Sequence, residues 1–298
     1  MATSKAVKLQ AEEHEIVKVE NFQTVEEFVL YLMHQSDYES AQKLVVGKDV
    51  LDLGCNCGYG TNCLSRMCKR IVGVDVSPSA IDEAKSRYKG DKASFQVVDG
   101  TTLPFADNSF DIITSFQVIE HLDDYNSYFK EARRVLRVDG ILLLTTPNAA
   151  IRVRPGERPW NPFHMHEFRG EELNGFLQQY FSFVKVFGGF AMECPYNIEL
   201  NRCLRNRDRV KTEINKPLRS LVIDSLPSPL LKFLRAIRQS IYVNKKRQIS
   251  ESLKNKFTTD DFYYKSSDLD TSLNLIGVCS DSKESISDAN GTLIIKNE

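Results

Sequence analysis

Residues 49 to 60, Asp-Val-Leu-Asp-Leu-Gly-Cys-Asn-Cys-Gly-Tyr-Gly, restrict the fold more than any other stretch of this chain. A short apolar run, Val50 to Leu53, leads into Gly54, Gly58 and Gly60, and a second apolar run, Ile71 to Val74, ends in Asp75. That order reads as strand, tight turn, helix, strand, acid. Glycine at 54 and 58 permits positive φ and lets a ligand approach the backbone, and an acid closing the second strand stands where ribose hydroxyls are gripped. A dinucleotide fingerprint would need glycine at 56 and 59, where this chain has Asn56 and Tyr59, so NAD fits poorly.

The pattern Asp52, Gly54, Asn56, Gly58 resembles motif I of the class I S-adenosylmethionine-dependent methyltransferases, with asparagine in place of the middle glycine. Asparagine tolerates left-handed φ better than other non-glycine residues, so the turn is expected to survive. The resemblance implies that S-adenosylmethionine is held by Asp52, Gly54, Cys55, Asn56, Gly58, Asp75, Val76, Asp99, Gly100 and Phe116, with Tyr38 over it. Asp99 would meet the adenine amino group, with Gly100 leaving room beside the ring. In methyltransferases of bacterial glycan clusters, a stretch similar to His34, Tyr38 and Glu39 precedes motif I and covers the cofactor.

Strands alternate with helices through residue 190: Ala93 to Val98, Asp111 to Phe116, a helix near Ser127 to Leu136, a turn at Asp139-Gly140, and a buried strand from Ile141 to Thr146. Such alternation gives βαβ units and a doubly wound, mostly parallel α/β sheet. Seven strands are expected, the last being Leu273 to Ser280. Two short helices should precede the sheet, because Thr24 with Glu27 and Ser36 with Glu39 each have capping-box spacing. The divisions read from this are an N-terminal helical cap (1–48), the methyltransferase core (49–190), a basic helical insertion or lid (191–272), and the last strand with a loose polar tail (273–298).

The acceptor should bind at the carboxyl ends of strands four and five. Two clusters fall there: Gln117-Val-Ile-Glu120-His121, and Asn161-Pro-Phe-His164-Met-His166-Glu167-Phe168. A hydroxyl acceptor needs a base for its proton, and histidine serves near neutral pH. His164 is the first candidate, then His121 and Glu120. Quinone-pathway and small-RNA methyltransferases carry a similar E-x-x-E-H at this place and bind a divalent ion. Here Gln117 replaces the first glutamate, which weakens a Mg²⁺ site built on hard oxygen donors. A metal-free site is therefore expected, with Glu120, His121 and His164 as the set that would hold Mg²⁺ if one were used.

Overall charge is close to balanced, at −1, but it is unevenly spread. Between Arg202 and Arg247 thirteen Lys or Arg face three acids. Within this stretch Ser228-Pro229 opens an amphipathic helix, and residues 228 to 248 could rest on an anionic membrane, grip an acceptor or pack on the core. Without aromatic interleaving, nucleic acid is the weaker partner. Of the seven cysteines, Cys55, Cys57, Cys63 and Cys68 crowd around the glycine turn and its helix; their spacings match no zinc half-site and suit reduced thiols packed as small apolar groups. The polar start and the lack of a long apolar run point to a cytoplasmic protein, peripheral to a membrane at most. The function expected is methyl transfer from S-adenosylmethionine to a hydroxyl of a sugar, glycolipid or related small molecule. The alternatives are a quinone-type or metal-assisted O-methyltransferase, and a catalytically silent cofactor-binding adaptor acting through the basic insertion.

Overall fold

The computed structural model describes residues 16–17, 19–214 and 255–292. The basic helix expected from Ser228 and the contact surface 228–248 lie outside the described residues.

Helix α1 (Val25–Ala41) precedes β1 (Asp49–Leu53), α2 (Tyr59–Ser65), β2 (Arg70–Asp75), α3 (Pro78–Arg87) and β3 (Ala93–Val97). Then follow β4 (Phe110–Phe116), α4 (Tyr125–Val135), β5 (Leu136–Pro147), α5 (Ala149–Arg152), α6 (Gly170–Leu177), β6 (Phe183–Ala191) and α7 (Glu193–Ile214). After the undescribed stretch come β7 (Phe262–Lys265), β8 (Asn274–Ser280) and α8 (Lys283–Thr292).

The sheet has eight strands in the order β3-β2-β1-β4-β5-β8-β6-β7. The pairs among β3, β2, β1, β4 and β5 are parallel, whereas β8 runs antiparallel to both β5 and β6. Seven strands were expected; the additional one, β7, pairs antiparallel with the outer edge of β6. Its Phe262 and Tyr264 are buried, so this short strand covers an edge that would otherwise expose unpaired backbone.

Three other expectations are corrected. The two N-terminal helices are one, because the Ser36 hydroxyl donates back to the Met33 carbonyl at 2.7 Å and does not cap a new start. The Asp139-Gly140 turn is part of β5, which begins at Leu136 and absorbs the irregularity as a register shift between Phe110 and Ile112. The polar tail contains α8, anchored by the fully buried Ala289.

The central strands are buried on both faces: every residue of β1 and β8 is buried. This is why they read as continuous apolar runs without alternation. β1 and β4 are neighbours while the chain runs outward from them in opposite directions, the topological switch point at whose carboxyl ends doubly wound sheets bind their ligands.

Candidate active site

The glycine turn after β1 is held by its own backbone. Gly54 and Gly58 have φ of 76° and 80°, and Asn56 takes the left-handed region at 46°. A Cβ on Gly54 would stand 2.4 Å from Val118 Cγ2, so residues 117 and 118 lie directly against this turn. The Asn56 N–H donates to Asp75 Oδ2 and the Ser77 N–H to Asp75 Oδ1, both at 2.9 Å. These bonds fix the carboxylate at the tip of β2, with Val76 beside it, where a ribose diol would be gripped. Asn56 also explains its departure from glycine: its Oδ1 accepts from Cys57 N at 2.8 Å and from Val17 N at 2.9 Å, tying the N-terminal segment to the turn.

Asp52 is fully buried and accepts from Thr61 Oγ1 at 2.6 Å, Thr114 Oγ1 at 2.8 Å and Tyr38 Oη at 3.3 Å. Burial pushes its pKa up to about 6 against these three donors. Tyr38 also meets Phe116 edge-on, with centroids 4.7 Å apart. Asp99 and Gly100 lie beyond the end of β3; Asp99 Oδ1 accepts from the Thr101 and Thr102 N–H groups at 2.8 Å, which hold its carboxyl below the usual range, and Gly100 has φ of 77°. Cys55 is buried, and burial raises its thiol well above the ordinary value, so it packs as an apolar group.

Of the trio on α1, Tyr38 is the one that hydrogen-bonds Asp52. Glu39 accepts from Thr259 Oγ1 at 2.5 Å. Burial lowers the His34 pKa to about 4, while Glu199, Arg202 and Arg152 set the local field around the ring.

The two clusters that follow β4 and β5 meet. A one-turn 3₁₀ helix, Ile119–His121, follows β4, and the Glu120 carbonyl accepts from Met165 N at 2.7 Å and His166 N at 3.3 Å. This brings the loop after β5 across the end of β4. One ligand atom each from Glu120, His121 and His164 then lies within 4.8 Å of the others. Glu120 is buried and accepts from Thr146 Oγ1 at 3.0 Å; burial raises its pKa to about 7, opposed by His164. His121 Nδ1 faces the Phe163 carbonyl at 3.0 Å, which can only accept, so Nδ1 carries the proton. Burial lowers the His121 pKa. His166, unassigned from sequence, is exposed and pairs with Glu172 at 2.7 Å.

His164 has the more informative environment. Its Nδ1 is 2.6 Å from Glu167 Oε1, and the Glu167 carboxylate takes two further bonds from Arg152, Nε at 2.9 Å and Nη2 at 3.1 Å. Burial raises the Glu167 pKa, but the His164 and Arg152 hydrogen bonds outweigh it and bring it down to about 2. The carboxylate therefore accepts, His164 donates from Nδ1, and Nε2 is left as the basic nitrogen. The Arg152 and Arg202 guanidiniums both lie over the Trp160 ring, at 4.6 and 5.7 Å from its centroid. Neither Glu167 nor Arg152 was singled out from sequence. The His164–Glu167 spacing of three was the one available signal, whereas nothing in the chain marks Arg152 as buried.

Residues 51–144 match the family described as "Methyltransferase domain". A "Probable S-adenosylmethionine-dependent methyltransferase" of Mycobacterium tuberculosis is 36% identical over 145 residues, 48% of this chain and 52% of that protein. A ubiquinone biosynthesis O-methyltransferase of Pelagibacter ubique is 27% identical over 114 residues, 38% of this chain and 48% of that protein. The chain thus spans about half the length of these relatives. A solved S-adenosylmethionine-dependent methyltransferase of Thermotoga maritima, described as a "possible histamine N-methyltransferase", superposes with a TM-score of 0.51 over 86% of this chain and 92% of that one, at 14% identity, a likeness of fold alone. Motif, sheet order and family match together make residues 51–144 a methyltransferase domain of the class I, S-adenosylmethionine-dependent kind.

Proposed function

We propose that this protein transfers the methyl group of S-adenosylmethionine to a hydroxyl of a sugar, glycolipid or related small molecule, with His164 as the general base. The observation that carries the reading is the buried Arg152–Glu167–His164 series, which fixes one tautomer of a histidine beside the crevice at the ends of β4 and β5. The residues around the glycine turn fit the cofactor: Asp75 is anchored at the tip of β2, where the resemblance puts the ribose, and the turn offers backbone approach. Bound there, S-adenosylmethionine supplies an electrophilic methyl group on a sulfonium. His164 Nε2 takes the hydroxyl proton as the O–CH₃ bond forms and the S–CH₃ bond breaks, and Glu167 stabilises the imidazolium. Orientation of the hydroxyl in line with the methyl group supplies much of the acceleration.

The test is S-adenosylhomocysteine release with a panel of nucleotide-linked sugars, lipid-linked sugars and catechol. His164→Ala should lower kcat by roughly 10²–10⁴-fold with cofactor affinity unchanged. Turnover that survives this change refutes the base.

A second reading is favoured by the convergence of Glu120, His121 and His164. Both histidines hold Nδ1–H on an oxygen acceptor, an arrangement common to metal-ligating imidazoles, and these three residues would hold a divalent ion that polarises the acceptor oxygen. Loss of turnover on chelation, restored by Mg²⁺, Mn²⁺ or Zn²⁺, supports it, and a rate indifferent to chelator removes it. Peripheral membrane contact remains part of the proposal for the glycolipid case, with salt-sensitive sedimentation on anionic vesicles as its test. Among the described residues no helix is long and apolar enough to cross a membrane.

A further inference from the structure

Gln117, the first residue past β4, holds a left-handed backbone at φ 58°, a conformation that glycine would adopt without strain. Its backbone N–H donates to the Thr145 carbonyl at 2.9 Å, and its side-chain Nε2 lies 3.1 Å from Thr145 Oγ1. The direction of that second bond follows from the next partner. Thr145 hydrogen-bonds the buried Asp37 carboxyl, which also accepts from Tyr264 Oη at 2.9 Å and from Asn274 Nδ2 at 3.2 Å. With the Thr145 hydroxyl turned toward Asp37, Thr145 Oγ1 accepts from Gln117 Nε2, which places Nε2 inward. Its Oε1 is then the outward end. Among the described residues no donor reaches Oε1, and it is not enclosed, since Gln117 is partly exposed. Val118 packs on Gly54 on one side and Glu120 and His121 follow on the other, so Gln117 sits between the glycine turn and the acceptor cluster.

We propose that Gln117 is a binding residue whose Oε1 accepts a hydrogen bond from a donor group, ammonium or hydroxyl, of a molecule bound in the crevice at the ends of β1 and β4. This rests on the methyltransferase reading for the identity of the occupants. The donor is either the ammonium at the amino-acid end of the cofactor or a hydroxyl of the acceptor.

The experiment is calorimetric titration of wild type, Gln117→Gly, Gln117→Leu and Gln117→Glu with S-adenosylhomocysteine and with 5′-methylthioadenosine, which lacks the amino-acid end, followed by turnover on the acceptor panel. If the donor is the cofactor ammonium, Gly and Leu weaken S-adenosylhomocysteine by roughly 10- to 100-fold, Glu, which keeps an outward oxygen but loses the bond to Thr145, weakens it less, and methylthioadenosine is indifferent to all three. If it is the acceptor hydroxyl, S-adenosylhomocysteine affinity is constant and KM for the best panel acceptor rises by roughly 3- to 10-fold in Gly and Leu, with Glu again closer to wild type. Gln117→Gly keeps the backbone that the site requires, so a thermal midpoint at or above wild type certifies its fold. Wild-type binding and turnover in that variant would overturn the proposal. Failure of S-adenosylhomocysteine to bind wild type would instead strike the functional reading.

Discussion

Glu167→Gln keeps the shape of a side chain that is wholly buried while removing the charge that Arg152, only 6% exposed, depends on. Breaking a buried pair by neutralising one partner costs about 3–5 kcal/mol, because the other charge is left without compensation. A second route gives a similar size. A pKa that falls from the ordinary 4.5 to about 2 in the folded protein corresponds to about 3 kcal/mol of stability. Because the folded pKa is depressed, this contribution is complete above pH about 4.5 and is lost as the pH falls toward 2. Urea unfolding at pH 7 should therefore show a lower midpoint with an unchanged m-value, and the gap from wild type should close progressively below pH 5. The double variant Arg152→Met with Glu167→Met replaces the pair by apolar volume and should recover much of the stability, yet turnover should stay low because His164 has lost the acceptor on Nδ1. A gap under about 1 kcal/mol at pH 7, or one that does not vary with pH, would refute the reasoning.

Asp37→Asn should act in the opposite direction. Burial raises the Asp37 pKa to about 7, so the stability linked to its proton is full below pH about 4 and is lost as the pH rises through 7. At pH 8 the variant should be more stable than wild type by roughly 1–4 kcal/mol in urea titration, helped by the Asn274 Oδ1 that now lacks a partner; a less stable variant at that pH contradicts the account. Asn56→Gly gives the turn the residue its φ prefers but removes the tether to Val17, so hydrogen exchange at the Val17 amide should quicken by roughly 10-fold, and unchanged protection would show that the tether is incidental. Gly60→Ala would place a Cβ 2.0 Å from the Tyr38 ring; displacement of that ring should cost about 1–3 kcal/mol in thermal unfolding and weaken S-adenosylmethionine binding, whereas an unshifted midpoint would mean that α1 yields freely.

The glycine turn, Asp75 and the parallel half of the sheet were legible in the chain because their signals are local: positive-φ residues, capping spacings and apolar runs each act within a few positions. The antiparallel edge was harder. β7 is four residues long and separated from β6 by some seventy residues, so its identity as a strand depends on the edge it covers. The segments after β4 and β5 come together as the sequence order suggested, but what orients them was not legible. Arg152 in a sequence reads as a solvated cation, and only tertiary packing makes it a buried partner of Glu167. Gln117 illustrates the same limit, since a residue type says nothing of a left-handed backbone that β4, Thr145 and Asp37 jointly impose.

Trp160 is the chain's sole tryptophan, and it lies on the loop that carries His164 under two guanidinium groups. With excitation at the red edge, where the eleven tyrosines absorb little, its emission belongs to that loop alone. Cations over an indole shift its excited state, so movement of Arg152 or Arg202 alters colour as well as intensity. The protein thus carries its own optical gauge of the loop that bears His164, and changes there can be followed in unmodified protein, in real time, without labels.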